Sequence, residues 1–230
     1  ANVFMSPGEL YGEVAAAPVQ RSSWLVAYGL SLLVAVFSVI TMFSTPSLLD
    51  QMLSAQREAM QEQVAAGKMT PEQVEKAESI DSPTMMKTFG TVGAIVFTSA
   101  AMFLLPLVFF GVAKLAFQFN GSYQKMLEMY ALASFIGLFG GVVSVVMMVG
   151  LDSMLAQPGP VLFIRDSYVR GNFLHGVLAS LNIFTVWQVA VTGIGLGKVT
   201  GKSSGAGMAV TFGLWALWVM AAAAFGWGAR

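Results

Sequence analysis

The chain has 230 residues, 56% of them hydrophobic and only 10% charged, where a soluble domain carries about 25% charged residues. With a mean hydropathy of +0.71 and a formal net charge of zero, it reads as an integral membrane protein with no basic surface for nucleic acid. There is no cysteine, which excludes disulfides, thiolate catalysis and cysteine metal sites, and one histidine, His175, which excludes a His-His metal or bis-histidine haem site within one chain.

The first ten residues, ANVFMSPGEL, lack the basic start and short apolar run of a secretory leader. Ala1 reads as the residue left after removal of an initiator Met, which suggests a cytoplasmic N-terminus. Residues 1–22 form an interfacial lead-in. Ser6 and Pro7 start a helix, Glu9 suits its first turn, and Pro18 ends it. Leu10, Tyr11 and Val14 give that helix an apolar face with which to lie on the membrane.

The first span covers residues 24–43, uncharged, with Trp24 at one interface. Residues 44–88 differ sharply. Leu49, Met52, Leu53, Met60 and Val64 recur at helical spacing after Thr45-Pro46, and Gly67 stops that helix. Thr70-Pro71-Glu72-Gln73 reads as a capping box that opens a second helix. The result is an amphipathic hairpin outside the membrane, with seven acids against four bases, whose acidic face is either simply solvated or a surface for a partner.

Ser82-Pro83 begins a helix whose span covers 89–117, with Pro106 as an internal kink. The remaining spans cover 129–149, 172–197 and 208–227. The fold class is therefore all-α: a five-helix transmembrane bundle with an extramembrane helical hairpin between the first two spans. Five spans put the termini on opposite sides. Lys114, Lys125, Lys198 and Lys202 mark the inner loops if the N-terminus is inside, which places the hairpin and the C-terminus outside.

The residues that stand out are polar or small. Asn182, Thr185, Gln188 and Thr192 fall along one side of the fourth span. A polar stripe in hydrocarbon needs a protein neighbour or a wet cavity. Gly193, Gly197 and Gly201 repeat every fourth residue, as do Gly137 and Gly141, a spacing that lets helices meet backbone to backbone. With Trp187 these are the candidate helix-packing or partner-binding residues. No Asp, Glu, Lys or Arg lies deep in a span, which argues against a proton-driven carrier. His175, near the start of the fourth span, reads as an interfacial histidine. Gly193, Gly195 and Gly197 are no phosphate loop, because no strand precedes them. No catalytic, cofactor or metal site is expected.

In the fourth span Asn182, Phe184 and Trp187 precede Gly193, Gly195 and Gly197, and a Lys198–Lys202 turn leads into a last apolar helix. Gly121-Ser122-Tyr123 and Lys125 precede an apolar helix with Tyr130, and a short N-terminal helix ends at Pro18. In this order the chain resembles the bacterial branch of the Yip membrane proteins, named for eukaryotic relatives that bind Ypt/Rab GTPases. The resemblance covers most of the chain except the 44–88 hairpin. It implies a five-span bundle with a cytoplasmic N-terminus and no enzymatic activity. The Asp-Leu-x-Gly-Pro type motif of eukaryotic members and a proline shortly after Tyr130 are missing, so GTPase binding is not carried over.

Two functions follow as expectations. The first is a non-enzymatic inner-membrane protein that serves as an interaction or accessory subunit of a larger membrane complex, such as an export or ABC-type system. Its partners would be membrane lipids and other membrane proteins, with a homo-oligomer as one option. The second is a small carrier or lipid-handling protein that uses the polar stripe.

Overall fold

The computed structural model describes residues 2–70, 72–74 and 83–224. Among them the chain forms helices and no strand. In order they are α1 (Asn2–Met5), α2 (Pro7–Ala16), α3 (Arg21–Ser44), α4 (Pro46–Ala65), α5 (Pro83–Phe117), α6 (Tyr123–Gly150), α7 (Val161–Ile164) with a 3-10 turn (Arg165–Ser167), α8 (Phe173–Ser180), α9 (Ile183–Val199) and α10 (Ser204–Ala224).

Four helices, α3, α5, α6 and α10, are long and apolar enough to cross a membrane. The count becomes five if α8 and α9, bent by 65° at a short break, are one span. Helix α6 is the central post and packs against α3, α5 and α9, while α10 packs on α9 and α8. The outward faces of α3 and α5 expose Leu33, Phe37, Phe89 and Phe97. Such faces suit lipid, where every backbone group is already satisfied within the helix.

Several elements depart from the sequence reading. Helix α6 begins at Tyr123 rather than at residue 129, because Ser122 caps it and accepts from Lys125 N at 3.4 Å. The fourth span is not one helix over 172–197. It is interrupted at Leu181-Asn182, and Asn182 caps the second piece by accepting from Phe184 N at 2.9 Å. Asn is a favoured N-cap because its side-chain oxygen replaces a missing carbonyl partner. The capping box is present: Thr70 N donates to Gln73 Oε1 at 2.9 Å and Gln73 N to Thr70 Oγ1 at 3.3 Å. The body of the second hairpin helix lies outside the described residues. Pro106 sits inside α5 and is fully buried, and the Tyr123 hydroxyl donates to the Phe103 carbonyl in the turn before it, at 2.8 Å.

The largest correction concerns residues 2–20. The apolar face of α2 is turned into the bundle, not onto the membrane surface. Tyr11 is fully buried, its ring lies over Gly195, and its hydroxyl donates to Met129 O at 2.9 Å. A Cβ at Gly195 would stand 2.9 Å from Tyr11 Cζ. Phe4 meets Phe139 and Trp187 edge to face, with centroids 6.3 and 5.6 Å apart. At the other end Lys125 Nζ donates to Val14 O and Ala17 O at 2.8 and 3.0 Å. The segment thus runs antiparallel to α6. Between Lys125 and Phe139 lies about 21 Å of helix at about 1.5 Å per residue. Residues 2–16 therefore fill a groove between α6 and α9, reaching the middle of the bundle.

Candidate functional site

The polar stripe faces protein. Gln188 lies against Gly137, where a Cβ would strike its side-chain oxygen. Thr192, 2% exposed, donates to Gln188 O at 2.7 Å. Thr185 is half-buried, and Trp187 packs on Phe4 while keeping one edge outward. Asn182 is drawn out of the stripe to the helix break. Its Nδ2 donates to Ser144 Oγ at 3.3 Å and to Gln157 Oε1 at 3.4 Å.

The break is sealed by the 151–160 connection. Ile183 N donates to Pro158 O at 3.0 Å, and Gln157 Nε2 donates to Ala179 O at 2.7 Å. Gly159 lies flush on the Leu181 carbonyl, leaving no room for a side chain. In carriers with broken helices the freed backbone groups face the substrate. Here Ala179 O, Ile183 N and Phe184 N are taken by Gln157, Pro158 and Asn182. Among the described residues no buried side-chain nitrogen or oxygen lacks a partner.

The glycines divide by function. Gly193 and Gly197 face α10. A Cβ at Gly193 would stand 2.6 Å from Met208 Cα, and one at Gly197 would stand 2.9 Å from the Ser203 carbonyl carbon. Gly207 returns the contact, since its Cβ would stand 3.0 Å from Gly197 Cα. Gly201 departs from the packing reading. It has φ +70° and nothing within 4 Å of its Cβ position. Lys202 N donates to Gly197 O at 2.8 Å and Gly201 N to Lys198 O at 3.2 Å, the paired bonds that close a helix with a left-handed residue. On α6, Gly137 meets Gln188 and Gly140 meets Phe184, whereas Gly141 only touches Val34 at 3.8 Å.

Two groups escaped the sequence reading. Lys125 and Glu128 pair at 2.8 Å with side chains 12% and 3% exposed, and Glu128 Oε1 accepts from Gln20 N at 3.1 Å. Their i, i+3 spacing at the start of a span was the available signal. The second is the seat of α4. Gln51 Nε2 donates to Asp152 O at 2.8 Å and its Oε1 accepts from Met154 N at 3.0 Å, while Ser47 Oγ donates to Asp152 Oδ1 at 2.6 Å. Arg170 Nη1 donates to Ala55 O at 2.8 Å. The acids Asp50, Glu58 and Glu62 stay exposed. Among the described residues no three His, Asp or Glu side chains come together as a metal set.

These features define an all-α, multi-span membrane protein. The chain belongs to the Yip1 domain family, whose profile matches residues 1–226 and so takes in the N-terminal segment and the 44–88 insertion with the spans. No curated protein and no solved structure matches it.

Proposed function

We propose that this Yip family protein is a non-enzymatic, bacterial inner-membrane protein that acts as an interaction or accessory subunit of a larger membrane complex. An export or ABC-type system is the setting we favour. The N-terminus is cytoplasmic, and the hairpin and C-terminus are extracytoplasmic. The observation that carries this reading is the closed break: Asn182 bonds Gln157, Gln157 bonds the Ala179 carbonyl and Pro158 accepts from Ile183 N, so these polar groups of the fourth span are spent on the protein itself. Exposed carboxylates on α4, which is hydrogen-bonded to the 151–170 connection, supply a surface outside the bundle.

The test is purification of the tagged full chain from its native membrane in mild detergent, followed by mass spectrometry. A stoichiometric membrane partner, retained by the wild type and lost when Glu58 and Glu62 are changed to Lys, supports the reading. A clean monomer or homo-oligomer overturns it. The broken span favours one second reading, a small carrier or lipid-handling protein. That reading expects Asn182→Leu to abolish flux with assembly intact.

A further inference from the structure

His175 is the chain's single histidine. It lies in the first turn of α8, and its Nδ1 accepts a hydrogen bond from the Val169 N–H at 2.8 Å. A ring nitrogen accepts only when it carries no proton, so this bond requires a neutral imidazole protonated on Nε2. The ring also lies against Tyr168, with centroids 5.6 Å apart and planes tilted at 33°. Asn172 closes the same turn. Its Oδ1 accepts from His175 N at 3.2 Å, and its N donates to Val169 O at 3.3 Å. Gly171, at φ +76°, supplies the left-handed residue. Arg170 stands in this turn and reaches across to Ala55 O, at the middle of α4. One imidazole nitrogen therefore fixes the turn that presents a tether to the extramembrane helix.

We propose that His175 is a pH switch for α4: protonation of Nδ1 sets an N–H against the Val169 N–H, opens the 169–172 turn and withdraws Arg170 from the Ala55 carbonyl at the middle of α4, freeing the residues beyond it. The sign follows from the bond. The neutral ring is the form the folded turn holds, so the tether is present where Nδ1 is free to accept and is lost where Nδ1 carries a proton. The charged and titratable groups around α8 do not offset this. Tyr168, whose hydroxyl burial raises and Arg170 lowers, is the ring's neighbour. Arg165 and Asp166, on the 3-10 turn, pair with each other at 3.5 Å, and Asp166 is 93% exposed. Helix α10, packed on α8, carries no titratable residue, and α4 contributes Asp50, Arg57, Glu58 and Glu62. Among the described residues no carboxylate bonds the ring to hold a second proton there. The proximal half of α4 is held separately by Ser47 and Gln51 on Asp152 and Met154. The inference concerns how α4 is held and stands whether or not α4 is the partner-binding face.

The absence of cysteine makes the chain suited to paired spin labels. The test uses the full chain in lipid nanodiscs, labelled at Glu62→Cys and Val146→Cys, with pulsed dipolar distances recorded on either side of the imidazole range, at about pH 8 and about pH 5. We expect a narrow distribution at the higher pH that broadens and shifts at the lower, while an Asp50→Cys/Val146→Cys pair beside the Ser47–Gln51 anchor stays unchanged. His175→Asn, whose Oδ1 accepts without titrating, keeps the narrow distribution at both values. His175→Ala shows the broad one at both. An unchanged wild-type distribution across this range overturns the proposal, as does a pH response retained in His175→Asn.

Discussion

The α9–α10 pair and the α3–α5 pair are both neighbouring spans, yet they meet in different ways. Between α9 and α10 the backbones touch: Gly193 and Gly197 on one helix, Gly207 on the other, joined by the short turn that Gly201 closes. Between α3 and α5 the contact is made by side chains. Trp24 and Tyr28 meet Phe103 with centroids 6.0 and 5.3 Å apart, Tyr28 shares a 2.8 Å hydrogen bond with Ser99, and Phe43 covers Gly90. Hydrocarbon gives helices no hydrophobic reason to associate, so shape and hydrogen bonds decide. The first pair spends its specificity on backbone approach, which tolerates nothing. The second uses rings and a hydroxyl pair, which can shift, and presents a broad apolar face to lipid.

Gly193→Leu should break the contrast most severely. The colliding atoms are Met208 backbone, which no rotamer change can move away. The cost should exceed the roughly 3 kcal/mol upper end of ordinary overpacking, read as loss of a monodisperse peak in detergent gel filtration. Glu128→Ala comes next. It leaves Lys125 largely buried without its carboxylate and unties Gln20, the residue before α3, at a cost of about 3 kcal/mol. Thermal unfolding followed by circular dichroism would register it, and an unchanged midpoint would show that α3 needs no polar mooring. Tyr28→Phe removes one interhelical hydrogen bond and should cost about 0.6 kcal/mol, measured by the same melt. Gly93→Leu sharpens the comparison from the other side. On α5 nothing lies within 4 Å of a Cβ at that position, so stability should be unchanged while the matched leucine at Gly193 is disruptive.

Much of the architecture was legible because hydropathy and helix length are local properties. The five apolar stretches, the acidic hairpin helix and the Thr70–Gln73 cap needed no tertiary information. The break at Leu181-Asn182 was hidden because it depends on Gln157, Pro158 and Gly159, which are distant in sequence and give the freed backbone groups their partners. Without that loop, an asparagine inside an apolar run is as consistent with a polar stripe as with a cap. Gly193, Gly197 and Gly201 share one spacing, but the backbone angle that makes Gly201 a terminator has no periodicity. The face formed by Leu10, Tyr11 and Val14 was correctly apolar. Amphipathicity states that a face wants cover and leaves open whether lipid or protein supplies it.

The burial of Tyr11 against Met129 and Gly195 has a consequence for how the protein is made. Helix α2 is translated before its seat, which is built from Met129, 118 positions later on α6, and Gly195, later still on α9. At about 5–20 residues per second, the ribosome needs about 10–40 s to pass from Tyr11 to Gly195. Until α9 is made the seat of α2 is incomplete, so its docking is a late event of assembly rather than an early one.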